Sequence, residues 1–236
     1  MMASRAAPIT AAPAYAERRE ALRTYFDRTA RRAWIDLTSD AKVSRIRRTV
    51  RAGRDEMRET LLGWLPADLS GRSLLDAGCG TGALAEVAAD RGAAVTGVDV
   101  AAGLIEVAEA RSSASGACFH AGDMLDPAYG EFDHVVAMDS LIHYRADDLA
   151  SAVTLLAART RHSLLFTFAP GSRLLAAMLA AGQYFPRADR SPAIVPIAER
   201  EVLRRLANLP GWRVGRGKRV ARGFYTSHAV ELVRER

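Results

Sequence analysis

Two periodicities of apolar residues divide the chain. Between Tyr15 and Trp34, Leu22, Tyr25, Phe26 and Ala30 recur at helical spacing, and Val43, Ile46, Val50, Met57, Leu61 and Leu65 do so again. They predict two N-terminal helices, the second capped by Ser39 or Asp40 and stopped by Pro66. Next come SLLDAG, AAVTGVDV, ACFHAGD, FDHVVAMDS and HSLLFTFAP, short runs rich in Val, Leu or Phe and bounded by Gly, Asp or Pro, which read as strands. Helical patterns at Gly82–Asp90, Leu104–Arg111 and Asp147–Arg159 separate most of them, so the expected fold is α/β, a parallel sheet with helices on both faces. After Pro170 a helix around Leu174–Ala181, an irregular FPRADRSPAIVP and a helix from about Ile197 to Ala207 predict a lid insertion at about 171–207. GWRVGRGKRV and GFYTSHAVELV complete seven strands as an antiparallel hairpin at the sheet edge. The expected organisation is a flexible tail over 1–14, a helical cap over 15–66 and one α/β domain over 67–236 that carries the lid.

Composition narrows this picture. With 236 residues, 49% of them hydrophobic, the chain can bury a full core and a ligand. No apolar run is long enough to span a bilayer, and MMASRAAPITAAPA lacks the continuous apolar segment of a secretory signal. Cys79 and Cys118 give neither a disulfide framework nor metal-ligand spacing, so no metal site is expected and a reducing, cytoplasmic setting fits. The net charge of +6 is uneven: residues 1–60 hold 14 basic and 8 acidic side chains, residues 61–199 hold 9 and 16, and residues 200–236 hold 10 and 3. Basic flanks around an acidic centre suit an anionic ligand or an anionic membrane surface. They equally suit a solvated Arg-rich exterior, since all but Lys42 and Lys218 of the 33 basic residues are Arg. No nucleic-acid-binding signature accompanies the charge.

The chemistry concentrates at strand ends. In LLDAGCGTG the first strand delivers Asp76 and then Gly78, Cys79, Gly80 and Gly82 at the mouth of a helix, where glycines let a ligand press against the backbone. Ala83 completes G-x-G-x-x-A, so a dinucleotide remains a formal alternative. Asp76 separates the two, because a carboxylate repels a pyrophosphate and attracts an ammonium such as the one on the methionine end of S-adenosylmethionine (SAM). Asp99, followed by Val100, ends the second strand, where its oxygens can accept both ribose hydroxyls. Asp123 and Met124 follow the third, an acid for the adenine amino group and a thioether for the ring face. Each acid alone is an ordinary cap or turn residue; their conjunction at successive strand ends marks a ligand crevice. After the fourth strand, MDSLIHY places Asp139 beside the methionine moiety and His143 and Tyr144 toward the acceptor.

These motifs resemble the class I SAM-dependent methyltransferases over roughly residues 60–236, which implies a Rossmann-like seven-stranded fold with SAM as co-substrate. Tyr25–Ala30 (YFDRTA) with Trp34, the V-R-x-G-R of Val50–Arg54, AMDSLIHY and FPRADRSP (Phe185–Pro192) are similar, more specifically, to the magnesium-protoporphyrin IX O-methyltransferases of bacteriochlorophyll synthesis. That resemblance implies methyl transfer to the ring C propionate of Mg-protoporphyrin IX, N-terminal helices over the active site, and contributions to catalysis from Tyr25 and His143. A propionate with a pKa near ~4.3 is ionised at neutral pH and needs no general base. His143 is therefore expected to orient one carboxylate oxygen by donating a hydrogen bond; axial ligation of the substrate Mg²⁺ is the alternative. Arg51, Arg54, Arg187 and Arg190 lie in the expected cap and lid and are candidates for the propionates. A magnesium chelatase subunit is a candidate partner, and any membrane contact is expected to be peripheral. The alternatives are another small-molecule O- or N-methyltransferase with a quinone or phenolic acceptor, a silent SAM-binding module, and an oxidoreductase, which Asp76 argues against.

Overall fold

The computed structural model describes residues 13–29, 45–112, 116–171 and 194–235. The expectations for Trp34, for the caps Ser39 and Asp40, for the 174–181 helix and for Phe185 fall outside these residues, as do Arg187 and Arg190. Helix α1 (Pro13–Thr24) runs into a π-helical turn, Tyr25–Thr29, and α2 spans Arg45–Trp64. The α/β body then alternates: β1 (Ser73–Ala77), α3 (Ala83–Asp90), β2 (Ala94–Asp99), α4 (Ala102–Arg111), β3 (Cys118–Ala121), β4 (Phe132–Ala137), α5 (Ala146–Ala158) and β5 (Thr160–Phe168). Helix α6 (Glu199–Leu206) and the strands β6 (Trp212–Arg222) and β7 (Tyr225–Arg234) close the chain.

All seven predicted strands join one sheet in the order β3-β2-β1-β4-β5-β7-β6. The first five pair in parallel; β7 pairs antiparallel with β5, and β6 with β7, so the predicted hairpin forms the edge. Strand order reverses between β1 and β4, and their carboxyl ends diverge there into a crevice, which is where ligands bind in open α/β sheets.

Alternation along the strands sends side chains to two separate core layers. Leu75, Ala77, Val135, Ala137, Leu164 and Phe166 pack under α5 and α6 on one face. Leu74, Val136 and Leu165 pack under α2, α3 and α4 on the other. The two N-terminal helices divide between these faces: α1 adds Tyr15 and Leu22 to the first, and α2 adds Met57, Leu61 and Leu62 to the second. Although the sequence places a boundary after Pro66, α2 is thus part of the core and lies against β6 and β7. The expected lid needs the same correction at its C-terminal end. Ile197 bonds with Ala169 and Gly171, and α6 buries Val202 and Leu206 to 1% and 2% exposure, so that segment is wall and core.

Gly53 decides how closely α2 can lie. A Cβ there would stand 2.5 Å from Tyr225 Cδ1 and 2.8 Å from the ring's Cγ, so the tyrosine packs directly on helix backbone. Gly53→Ala improves helix propensity by about 1 kcal/mol, yet overpacking costs about 1–3 kcal/mol. The expected outcome in thermal unfolding is a melting temperature lowered by a few degrees; a raised one would show that the ring moves aside freely.

Candidate active site

The carboxyl ends of β1, β2 and β4 open into one cavity of about 670 Å³. Gly78 leaves β1 with φ 85°, a left-handed value, and a Cβ on it would stand 2.3 Å from Ser140 Cβ. Only glycine allows the turn to lie this close to the loop after β4. The turn's donors are already bonded within the protein: Gly78 and Cys79 N–H donate to the Val98 carbonyl at 2.8 and 3.1 Å, and Gly80 N–H to Asp99 Oδ2 at 2.9 Å. A phosphate cradle needs such groups, so this turn is poorly suited to a pyrophosphate. Burial pushes the Cys79 thiol well above its ordinary range, which leaves it a packing residue.

Asp76 is 2% exposed, and its Oδ2 is buried with no hydrogen-bond partner among the described residues. Burial first and the charge of Asp99 second push its carboxyl up to about 7, against the opposing pull of the Ala85 N–H. An unpaired buried carboxylate is costly, and an ammonium placed against it supplies the missing partner. Ser140 Oγ is a second buried polar atom in the wall of this cavity with no partner among the described residues. Asp99 accepts from Gly80 and Ala101 N–H at 2.9 Å each, and burial raises its carboxyl, with Asp27 adding to the effect. A carboxylate has about four acceptor positions, so two ribose hydroxyls can still be taken. Asp27 itself accepts from Gly103 N–H at 3.1 Å in the first turn of α4. Val100 and the buried Met124 add apolar wall of the kind a purine ring needs.

Helix α2 supplies a second part of the wall. Arg51, Arg54 and Arg58, spaced i, i+3 and i+7, share one helical face and line the cavity, with Asp55 paired to Arg58 at 3.0 Å. Val50, Ile194 and the half-exposed Phe224 make an apolar rim. A single 3₁₀ turn (Leu141–His143) brings His143, 5% exposed, to the same cavity, where its imidazole meets the Phe26 ring at 6.3 Å between centroids and 62° between planes. Tyr144 is buried and stacks on Tyr15 of α1 at 4.9 Å and 18°. Burial raises both phenols well above their ordinary range, so they stay protonated.

Several expected site residues sit differently. Gly82 begins α3 with φ 80° and lies against Phe119 and Ala108, behind the cavity wall. Asp123 does not line the cavity: Tyr15 Oη donates to its Oδ1 at 2.8 Å and Arg19 pairs with its Oδ2, so the carboxylate expected for adenine anchors α1 instead. Tyr25 packs edge-on against Phe26 at 5.1 Å and is set back, Phe26 forming the wall. Asp139 does line the cavity, but Arg54, Tyr225, Ser227 and Thr167 all donate to it. It is the one non-glycine with positive φ among the described residues, at 54°, a strain of roughly 1–3 kcal/mol held by those contacts.

Sequence reasoning missed Arg58, which the spacing from Arg51 and Arg54 could have revealed, and Tyr15 and Arg19, one turn apart on α1. It also missed Arg159, which donates to the Met124 and Asp126 carbonyls and so holds the loop after β3. No local signal marks that contact.

Because burial keeps Asp76 protonated below about pH 7, binding an ammonium there must release a proton. Affinity for SAM is therefore expected to fall by up to tenfold per unit as pH drops from about 7.5 to about 5.5, read by calorimetry. Asp76→Asn should weaken binding at the upper pH and flatten the slope; an unchanged profile would contradict the assignment.

Residues 137–234 match the family described as magnesium-protoporphyrin IX methyltransferase C-terminus, and residues 74–162 match one described as methyltransferase domain. The chain is 48% identical over 224 residues to the magnesium-protoporphyrin O-methyltransferase of Rhodobacter capsulatus, covering 92% of this chain and 97% of that one. It is similar to the solved structure of magnesium protoporphyrin IX methyltransferase from Synechocystis PCC 6803 with bound SAH, with a TM-score of 0.81 and 27% identity over 92% of this chain and 99% of that one. The same Synechocystis protein with bound SAM gives a TM-score of 0.77 at 25% identity, over 92% of this chain and 97% of that one. With near-half identity across almost the full length of both chains, this protein belongs to the magnesium-protoporphyrin O-methyltransferase family.

Proposed function

We propose that the chain transfers the methyl group of SAM to the ring C propionate carboxylate of Mg-protoporphyrin IX, giving the monomethyl ester in (bacterio)chlorophyll biosynthesis. The observation that carries this reading is the opposite charge on two parts of the wall of one cavity. Asp76, a buried carboxylate with one oxygen unpaired among the described residues, stands at the strand tips, and the guanidinium groups of Arg51, Arg54 and Arg58 line the same cavity, a row that keeps a net positive charge after Asp139 pairs with Arg54 and Asp55 with Arg58. A cationic donor and an anionic acceptor fit these two parts, and the apolar rim of Val50, Ile194 and Phe224 suits a flat macrocycle.

SAM supplies a methyl group already activated on sulfonium sulfur. The chain's own contribution is alignment and exclusion of water, and proximity of that kind is worth roughly 7–11 kcal/mol. Asp76 holds the ammonium end, Asp99 the ribose, and Met124 covers the base. His143 donates to one propionate oxygen and leaves the other to attack; no proton has to be removed from an ionised carboxylate. The arginine row, extended in this proposal by Arg187 and Arg190, receives the propionates. Tyr25 acts through Phe26, whose ring meets the His143 imidazole. Tyr144 closes the wall by its stack on Tyr15.

Delivery of the porphyrin by a magnesium chelatase subunit, in a cytoplasmic setting with peripheral contact to a photosynthetic membrane, belongs to the same proposal. Exposed Arg45, Ile46 and Arg48 at the start of α2 and half-exposed Phe224 at the rim support a peripheral contact, and among the described residues no helix is long and apolar enough to cross a membrane.

The test mixes the purified chain with labelled SAM and either Mg-protoporphyrin IX or a phenolic acceptor and looks for product by mass spectrometry. A methyl ester on the porphyrin is expected, with His143→Ala lowering turnover about 100-fold through lost alignment; methylation of the phenol alone would overturn the substrate. Full turnover in His143→Ala would remove that residue from the mechanism.

A further inference from the structure

Asp139 follows β4, where the sequence suggests a contact to the cofactor, yet its carboxylate is engaged by protein donors on both oxygens. Oδ2 accepts from the Arg54 guanidinium at 2.7 Å and from the Tyr225 hydroxyl at 3.1 Å. Oδ1 accepts from the same hydroxyl at 3.0 Å, from Thr167 at 3.2 Å and from Ser227 at 3.3 Å. Thr167 Oγ1 in turn accepts from the Asp139 N–H at 2.7 Å. These donors fill the roughly four acceptor positions of a carboxylate. They come from β5, β7 and α2, so one buried side chain ties the cap helix to two strands beneath it.

Arg54 is part of the cavity wall, between Arg51 and Arg58. Its guanidinium is a planar, rigid group, so fixing Nη1 on Asp139 Oδ2 restricts the direction of its other donors, which a lysine's single ammonium could not reproduce. Gly53, beside it, allows the Tyr225 ring against the helix backbone, and Tyr225 donates to the same carboxylate. Helix position and guanidinium direction are therefore set by one hub.

The geometry points to Asp139 as a positioning residue for the acceptor: through Arg54 it holds the arginine wall where a substrate carboxylate is received, and it takes no part in binding SAM. This rests on the reading of the cavity as a site for a carboxylate-bearing porphyrin.

The test measures dissociation constants for SAM by calorimetry and for Mg-protoporphyrin IX by its fluorescence, together with KM, kcat and melting temperature, in the full chain. Asp139→Asn is expected to leave SAM affinity within about threefold and to weaken porphyrin binding and raise its KM about tenfold or more. Each single change, Asp139→Asn or Arg54→Gln, should lower the melting temperature by stranding a buried partner, and the double variant should recover part of that loss. Its porphyrin KM should stay raised because the wall arginine itself is gone; the single Asp139→Asn, which keeps Arg54, separates positioning from stability by raising the porphyrin KM at unchanged SAM affinity. If Asp139→Asn does not fold, Tyr225→Phe and Ser227→Ala, each removing one donor, should show the same division at smaller size. Loss of SAM affinity with porphyrin binding intact, or recovery of KM along with melting temperature in the double variant, would overturn the proposal. A wild-type chain that neither binds nor methylates the porphyrin would instead overturn the substrate reading beneath it.

Discussion

The structure turns on one carboxylate buried without a counter-charge. Asp76 stands at the tip of β1 under a glycine turn, 2% exposed, with one oxygen unpaired. Folding tolerates it because burial raises the carboxyl to about 7, so part of the population carries a proton and not a bare charge. The same burial makes the position selective. An anion is repelled, a neutral group gains little, and an ammonium both ionises the acid and gives its oxygen a partner. The turn around it is poorly suited to phosphate for an independent reason, since the N–H groups of Gly78, Cys79 and Gly80 bond Val98 and Asp99.

The four acids that follow the parallel strands divide into two pairs with different tasks. Asp76 and Asp99, on β1 and β2, line the cavity without an ion pair to either N-terminal helix among the described residues. Asp123 and Asp139, after β3 and β4, hold the two N-terminal helices: Asp123 receives Tyr15 and Arg19 of α1, and Asp139 receives Arg54 of α2. Because α1 packs on one face of the sheet and α2 on the other, residues of both helices line the cavity, each helix tied to a carboxylate that follows a strand. Strand-end carboxylates therefore hold the walls of the cavity as well as line it.

Much of this was legible in the sequence. Period and bounding residues identify all seven strands, and the Gly-rich turn with Asp76 and Asp99 locates the crevice, because these depend on local pattern and on the fixed handedness of β-α-β connections. What the sequence concealed depends on distant partners. Asp123 meets Tyr15 across 108 positions and Asp139 meets Arg54 across 85, and no periodicity reports such pairs. Both acids sit where a cofactor ligand is expected, so their type and position suggested a role that the partners take up. Arg58 is the opposite case, since its spacing from Arg51 and Arg54 contained the answer. Tyr25, assigned through family resemblance, is displaced from the cavity wall by its neighbour Phe26, a shift of one position that a π-helical turn makes hard to read from sequence.

The most direct measurement is an NMR titration of the Asp76 side-chain carboxyl, in the free chain and with SAH bound. The expected result is a midpoint near 7 in the free chain that falls by about 1–3 pH units once the amino group at the homocysteine end of SAH is in place. An ordinary midpoint near ~4 in both states would contradict the account, because the acid would then be neither desolvated nor the ligand's partner.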